Sequence, residues 1–307
     1  MISVIVPVYN GAHVLPKTVP AMLAQDEPAE WLFVDDGSTD DTAAVLAGLL
    51  AAGPAAPGAT ARVLTHPTNR GRAAARNTGV AAAHGDLLVF LDADVAPAPG
   101  YLAALRDVSG ATGAPAAVGR LTFAEVDPRD PYHRYLASPL RGVRDRAAGA
   151  PVPWRHFLLC VAAVRADAFR EAGPFDEGIT YGEDLEYACR LARRHPDGLR
   201  YAPGAVAAMY DLGDLGTALA KMREFAGGNL PRMVRAHPEV AEQVGLHRVA
   251  PGAGLRGRLA RLALSAPVAR LVRRVLPALP PRLSDYAVRY LLAHTLVSAY
   301  HEAAPSP

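Results

Sequence analysis

The sequence predicts an α/β fold: an open, mostly parallel sheet with helices on both faces, followed by a C-terminal helical extension. Three observations carry this. Short β-branched runs and segments of helical periodicity alternate four times by Leu91. The runs are apolar along their length, as strands buried on both faces are. Beyond residue 211 the pattern is helical and arginine-rich, broken by Pro238, Pro251, Pro267 and Pro277.

The first run, residues 2–6, is ended by Pro7, and the second, 31–34, by Asp35-Asp36-Gly37-Ser38. Between them 13–25 has helical spacing. Ser38-Thr39-Asp40-Asp41-Thr42 offers N-cap chemistry for a helix through Leu50. A Pro/Gly/Ala loop at 53–58 leads to a third strand at 62–66, a helix at 71–84, and a strongly apolar fourth strand at 86–91. Past residue 110 the pattern loosens. Residues 116–123 read as a strand, 127–153 as a polar, proline-interrupted stretch, 158–164 as apolar again, and 184–195 as an amphipathic helix. A last strand at 201–209 precedes a boundary that divides the chain into 1–210 and 211–307, and 286–300 reads as a further helix.

Composition narrows the class. The 307 residues are 50% hydrophobic and 20% charged, which excludes disorder as the main theme. A formal charge of +2 gives no global field for nucleic acid. Two cysteines, Cys160 and Cys189, are too few for a disulfide framework, and a reducing cytoplasm is the expected setting. The N-terminus lacks the parts of a signal peptide, and arginines interrupt every long apolar stretch, so no transmembrane helix is expected.

In open α/β sheets the ligand sits outside the carboxyl ends of the strands. Those ends carry Pro7-Val8-Tyr9-Asn10, Asp35-Asp36-Gly37, residues 66–69 and Asp92-Ala93-Asp94. Several carboxylates converging on one rim are costly unless a cation or ligand donors compensate them. Asp92 and Asp94 suit a hard cation such as Mg²⁺ or Mn²⁺; the competing reading is an Asp-x-Asp loop cap. One of Asp35 and Asp36 can cap the next helix while the other faces a base or ribose. Arg70, Arg72 and Arg76 suit phosphate or base oxygens, or else form a solvated helix face. No Gly-x-Gly-x-x-Gly follows the first strand and no Gly-Lys-Ser/Thr loop occurs, against dinucleotide and P-loop proteins.

Taken in order, Val6-Pro7-Val8-Tyr9-Asn10, Val34-Asp35-Asp36-Gly37-Ser38-Thr39-Asp40, Asn69-Arg70-Gly71 with Ala75-Arg76-Asn77-Thr78-Gly79, Phe90-Leu91-Asp92-Ala93-Asp94, and Gly182-Glu183-Asp184 with Arg190 resemble the family 2 glycosyltransferases of the Rossmann-like GT-A fold. The resemblance spans roughly residues 1–210. It implies inverting transfer of a sugar from a nucleotide-sugar, usually a UDP-sugar, to an acceptor hydroxyl, with a divalent metal on the diphosphate. It places base and ribose against Pro7, Val8, Tyr9 and Asp36, with Arg72 on the base side and Asn69, Arg76 and Ala93 completing the donor-binding set. Asp94 becomes the direct metal ligand with Asp92 nearer the ribose. Asp184 becomes the general base, and Glu183 positions the acceptor or the helix.

Two departures stand out. Met209 sits where members often have a metal-binding histidine, so Asp211 or water would substitute; and the Gln-x-x-Arg-Trp sequence and membrane helices of processive synthases are absent, which favours single addition. Residues 243–284 hold eight arginines and no acid. They suit either peripheral contact with an anionic inner membrane face or arginine stems packed on the catalytic domain or a partner subunit, and the proline breaks favour packing. Arg141, Arg144 and Arg146, in the polar stretch 127–155, suggest a loop near a diphosphate or an anionic acceptor. The rivals are a nucleotidyltransferase, which would want a glycine-rich basic loop after the first strand, and a non-catalytic module that binds nucleotide-sugar or a partner.

Overall fold

A computed structural model describes residues 1–138, 143, 146–249 and 253–303. The chain packs as two units, Met1–Ala124 with Gly142–Asp211, and Glu125–Arg141 with Leu212–Pro307. Arg141 and Arg144 lie outside the described residues; Arg146 donates from Nη1 to the Pro151 carbonyl at 3.0 Å.

In chain order the first unit contains β1 (Ile2–Val8), α1 (Leu15–Leu23), β2 (Ala29–Asp35), α2 (Thr42–Leu50), β3 (Thr60–Thr65), α3 (Arg72–Ala82), β4 (Leu87–Leu91), β5 (Val95–Pro97), α4 (Tyr101–Thr112) and β6 (Ala116–Phe123). After α5 (Pro131–Ala137), which belongs to the second unit, come β7 (Val161–Arg165), α6 (Ala166–Ala172), α7 (Glu183–Arg194) and β8 (Leu199–Met209). Among the described residues the strands form one sheet in the order β3-β2-β1-β4-β7-β6-β8-β5. Neighbours β3, β2, β1 and β4 are parallel, and so are β6 and β8, whereas β7 and β5 run antiparallel to their neighbours. The sheet is therefore mostly parallel. Every residue of β2 and β4 is buried, and all but Pro7 in β1, which is why these strands read as continuous apolar runs.

From β1 the chain moves through β2 and β3 on one side, then returns to β4 on the other. In open sheets such a reversal is where the ligand crevice lies, here at the carboxyl ends of β1 and β4. Helix α3 covers it closely because Gly79 has no side chain: a Cβ there would stand 2.5 Å from Ile5 Cγ2. Gly37, at φ +69° just past β2, serves the same end, since a Cβ would lie 2.5 Å from the Thr68 carbonyl carbon. An aromatic cluster ties β4 to α7, with Phe175 edge-on to Phe90 at 5.4 Å and against Tyr187 at 4.6 Å between ring centroids.

The second unit is helical: α5, α8 (Leu215–Glu224), α9 (Leu230–Ala236), α10 (Glu239–Gln243), α11 (Gly254–Ala263), α12 (Ala266–Val275) and α13 (Pro281–Ala303). Its core gathers Tyr135, Leu219, Ala269, Leu276, Val288 and Leu291. Helix α5 arises inside the stretch expected to be irregular. Asp130 caps it, accepting from the Tyr132 amide at 2.6 Å and the His133 amide at 3.2 Å, and Pro131 supplies a first-turn φ. Among the described residues no helix is long and apolar enough to cross a membrane. Within this chain Arg256, Arg258, Arg270, Arg273 and Arg274 of α11 and α12 are exposed, while Arg261 donates from Nη1 to the Val249 carbonyl at 3.0 Å.

Gly79→Ala is expected to overpack the α3–β1 contact and to cost about 1–3 kcal/mol, read as a lowered urea midpoint at unchanged slope. Wild-type stability would show that Ile5 yields freely.

Candidate active site

Asp92, just after β4, and Glu183, at the start of α7, meet on one arginine. Arg76, on α3, is 2% exposed. Its Nη2 donates to Asp92 Oδ1 at 2.7 Å and its Nη1 to Glu183 Oε1 at 2.5 Å. Burial alone would weaken its charge, but Asp92 and Glu183 outweigh that and raise its pKa, so it is a permanent cation. It thereby joins the end of β4 to the start of α7, and it is no solvated helix face. Its Nε lacks a protein partner.

The rest of the Ala75-Arg76-Asn77-Thr78-Gly79 run serves the same junction. Asn77 accepts from the Phe175 amide and donates to the Phe175 carbonyl, both at 2.9 Å, fixing the approach to α7. Thr78 Oγ1 pairs with His66 Nε2 at 2.8 Å. Helix α7 begins at Gly182, φ +88°, with Glu183, Asp184 and Glu186 in its first turn and Arg193 and Arg194 in its last, matching its dipole.

Asp35 and Asp36 divide their work. Asp35 Oδ1 accepts from the Ser38 amide at 3.0 Å, closing the turn after β2. Asp36, expected to face a base or ribose, directs its carboxylate at the loop after β3: Oδ1 pairs with His66 Nδ1 at 2.7 Å and the Arg70 amide at 2.9 Å, and Oδ2 with the Gly71 amide at 2.7 Å. Asp36 therefore shapes the loop that carries Asn69 and Arg70, and His66 is the partner that sequence reasoning did not single out. Asn69 Oδ1 also accepts from the Gly71 amide, at 3.1 Å. Val8 is buried and Pro7 half-buried, while Tyr9 is 49% exposed. Asn10 adopts φ +50°, donates its amide to Ser38 Oγ and accepts from the Thr39 amide, each at 2.9 Å.

The Asp92-Ala93-Asp94 turn is braced by its backbone. Thr18 Oγ1 donates to the Ala93 carbonyl at 2.7 Å, the Val95 amide to the Asp92 carbonyl at 3.0 Å, and the Tyr210 amide to the Asp94 carbonyl at 2.8 Å. With Asp92 committed to Arg76, Asp94 is left under-compensated. Burial and the charges of Asp92 and Asp211 push its pKa up to about 7, with Arg72 the opposing cation. Arg72 stacks on Tyr181 at 5.1 Å and stands 3.7 Å from Glu183. Met209, at the histidine position, ends β8, and the neighbouring Asp211 lies 3.9 Å from His13 Nε2.

Asp184 is the second perturbed acid. Its Oδ1 accepts from the Leu185 amide at 2.8 Å, yet burial and Glu183 push its pKa up to about 6 against Arg76 and Arg72. The same field keeps Cys160 a thiol, well above the ordinary range through burial and then Asp92, Asp94 and Asp184.

The donor chemistry around Asp94 suits a hard cation: carboxylate oxygens whose mutual repulsion a divalent ion would relieve. Among the described residues no set of three His, Cys, Asp or Glu groups is arranged to hold one alone. One or two carboxylates with substrate phosphates is the usual magnesium arrangement.

Residues 3–172 match the model of glycosyl transferase family 2. The chain belongs to this family. It is 30% identical over 295 residues to a pre-mycofactocin glycosyltransferase of Mycobacterium tuberculosis, covering 90% of this chain and 58% of that protein. It is 28% identical over 192 residues to the glycosyltransferase AglE of Haloferax volcanii, covering 62% and 60%. The chain thus spans about three fifths of the length of these relatives. Among solved structures, S. aureus TarS residues 1–349 with UDP-GlcNAc superposes at a TM-score of 0.58 with 16% identity, over 99% of this chain and 92% of that one. The mannosyltransferase PcManGT of Pyrobaculum calidifontis, solved with GDP-Man and Mn²⁺, does so at 0.58 with 20% identity, over 98% and 87%. The fold of this family 2 chain is GT-A.

Linkage gives a test of the crowded acids. Asp94 and Asp184 hold protons at about 7 and about 6 in the folded state against an ordinary 3.8. The folded chain therefore binds more protons between these limits, and stability falls as pH rises through them. Asp94→Asn is expected to raise Tm at pH 8, by on the order of 1 kcal/mol of stability, and to give no gain at pH 4. Equal effects at both pH values would contradict it.

Proposed function

We propose that this chain is an inverting glycosyltransferase that moves a sugar from a nucleotide-sugar, in the first instance a UDP-sugar, to an acceptor hydroxyl. The observation that carries this is Arg76 bridging Asp92 and Glu183, which sets the neighbouring Asp94 and Asp184, both with raised pKa, on the two sides of that bridge. Membership of glycosyl transferase family 2 supports the reaction class.

Each residue has a task in that reading. Asp184 removes the proton of the attacking hydroxyl: with its pKa near 6 it is ionised at neutral pH and more basic than an ordinary carboxylate. A single base and in-line attack invert the anomeric centre with no covalent sugar intermediate, the logic of inverting hydrolysis. Glu183 fixes the start of α7 through Arg76, holding Asp184 toward the crevice. Arg72 is the cation available to the diphosphate, its guanidinium steadied on Tyr181. Pro7, Val8 and the exposed Tyr9 form the base side, and Asp36 holds the Asn69–Gly71 loop against it. Asp94, with Asp92 and Asp211 beside it, would hold Mg²⁺ or Mn²⁺, which when bound takes up charge on the departing diphosphate.

Met209 in place of a histidine favours a second reading, a module that binds nucleotide-sugar without turnover. Nucleotide release from a panel of UDP- and GDP-sugars with Mn²⁺ separates the two. Asp184→Asn is expected to lower kcat by about 10²–10⁴-fold with UDP affinity little changed, and the wild-type rate to rise with pH through about 6 to a plateau. Full turnover in Asp184→Asn would remove Asp184 as base. UDP binding with no turnover on any acceptor would favour the module.

A further inference from the structure

In an ordinary surface helix leucines face inward and arginines outward. Helix α11 departs from this, with its leucines exposed as well as its arginines. Its one buried residue is Gly257. Leu255, Leu259 and Leu262 are 71%, 57% and 68% exposed. Their spacing of four and three places them on one stripe, with Arg256 and Arg258 on its two flanks. The orientation is anchored from behind: Arg261 Nη1 donates to the Val249 carbonyl at 3.0 Å, Tyr290 Oη to the Ala263 carbonyl at 2.8 Å, and His294 Nδ1 to the Leu264 carbonyl at 2.7 Å. Polar groups thus fix the helix while its leucines face out. Helix α12 also exposes an apolar stripe, Leu271 at 60% exposure with Val268 and Val275 beside it, while its exposed Arg270, Arg273 and Arg274 lie further round the helix.

We propose that α11 and α12 form a docking face for an anionic lipid bilayer, with the leucines in the acyl boundary and the arginines on lipid phosphates. Charge selects this occupant: residues 243–284 hold eight arginines and no acid. Composition agrees, because the stripes are purely aliphatic, whereas protein interfaces centre on Tyr and Trp beside Arg. Arginine stems reach past an inserted leucine row to the headgroups. The inference concerns the second unit alone and stands whatever donor the first unit takes.

Co-flotation of the 307-residue chain with vesicles of phosphatidylcholine alone, or mixed with phosphatidylglycerol at seven parts to three, tests it. Binding to the anionic vesicles is expected to be stronger by on the order of tenfold and to weaken with salt. The combined Leu255→Gln, Leu259→Gln and Leu262→Gln variant should lose about tenfold or more of that binding with an unchanged Tm, since the stripe is exposed. Arg256→Gln with Arg258→Gln should lose the anionic preference and carries the test if the leucine variant misfolds. No flotation with anionic vesicles, or undiminished binding in both variants, overturns the proposal. So does self-association of the wild type that the leucine changes abolish without any vesicle binding, which would assign the face to a second copy.

Discussion

The first unit depends on how a single buried arginine balances an excess of acid. Asp92 and Glu183 come from elements almost a hundred residues apart in sequence, and each would be costly to bury unpaired. Arg76 meets both, so its guanidinium joins the end of β4 to the start of α7 beside the Phe90–Phe175–Tyr187 contact. The balance is incomplete by construction. One cation answers two carboxylates, and Asp94 and Asp184, a short step further along each element, remain where a charge is uncomfortable. Both acids therefore hold a proton more tightly than an ordinary carboxylate.

Packing delivers that balance. The approach of α3 to β1 is set by a glycine, the start of α7 by Asn77 and the ring of Phe175, and the loop after β3 by Asp36 with His66 behind it. A run of five residues on α3 therefore serves four neighbours. Its composition answers to geometry as much as to chemistry, which explains how a helix with so little apolar surface can be central to the fold. The second unit uses a different economy: its arginines stand at the surface and one of its helices turns leucine outward.

Much of this was legible in the sequence. The strands on either side of the crevice are apolar runs closed by acids, and the parallel order of β1 to β4 follows from the helices between them. The candidate acids were legible too, because position at a strand end is a local property. Their partners were not. Nothing local reveals that Asp36 turns toward a histidine just after the next strand, or that Arg76 is buried, because both contacts close across long sequence separations. Short elements also escaped: β5 has three residues and α5 seven, below the length at which periodicity speaks, although the Asp130-Pro131 start of α5 is a readable cap. Helix α4 carries a readable pattern in Tyr101, Leu102, Leu105 and Val108, all buried, between Gly100 and Gly113. In α11 the periodicity is present but its leucine stripe is exposed along with its arginines, which pattern alone does not disclose.

The metal proposed at Asp94 should displace the proton that its raised pKa implies. Calorimetry of Mn²⁺ with UDP near pH 6.5, repeated in buffers of different ionisation enthalpy, measures the protons released on binding. The account predicts release of about half to one proton per site, fading above pH 8 and absent in Asp94→Asn. Metal-independent UDP binding with no proton release at any pH would contradict it.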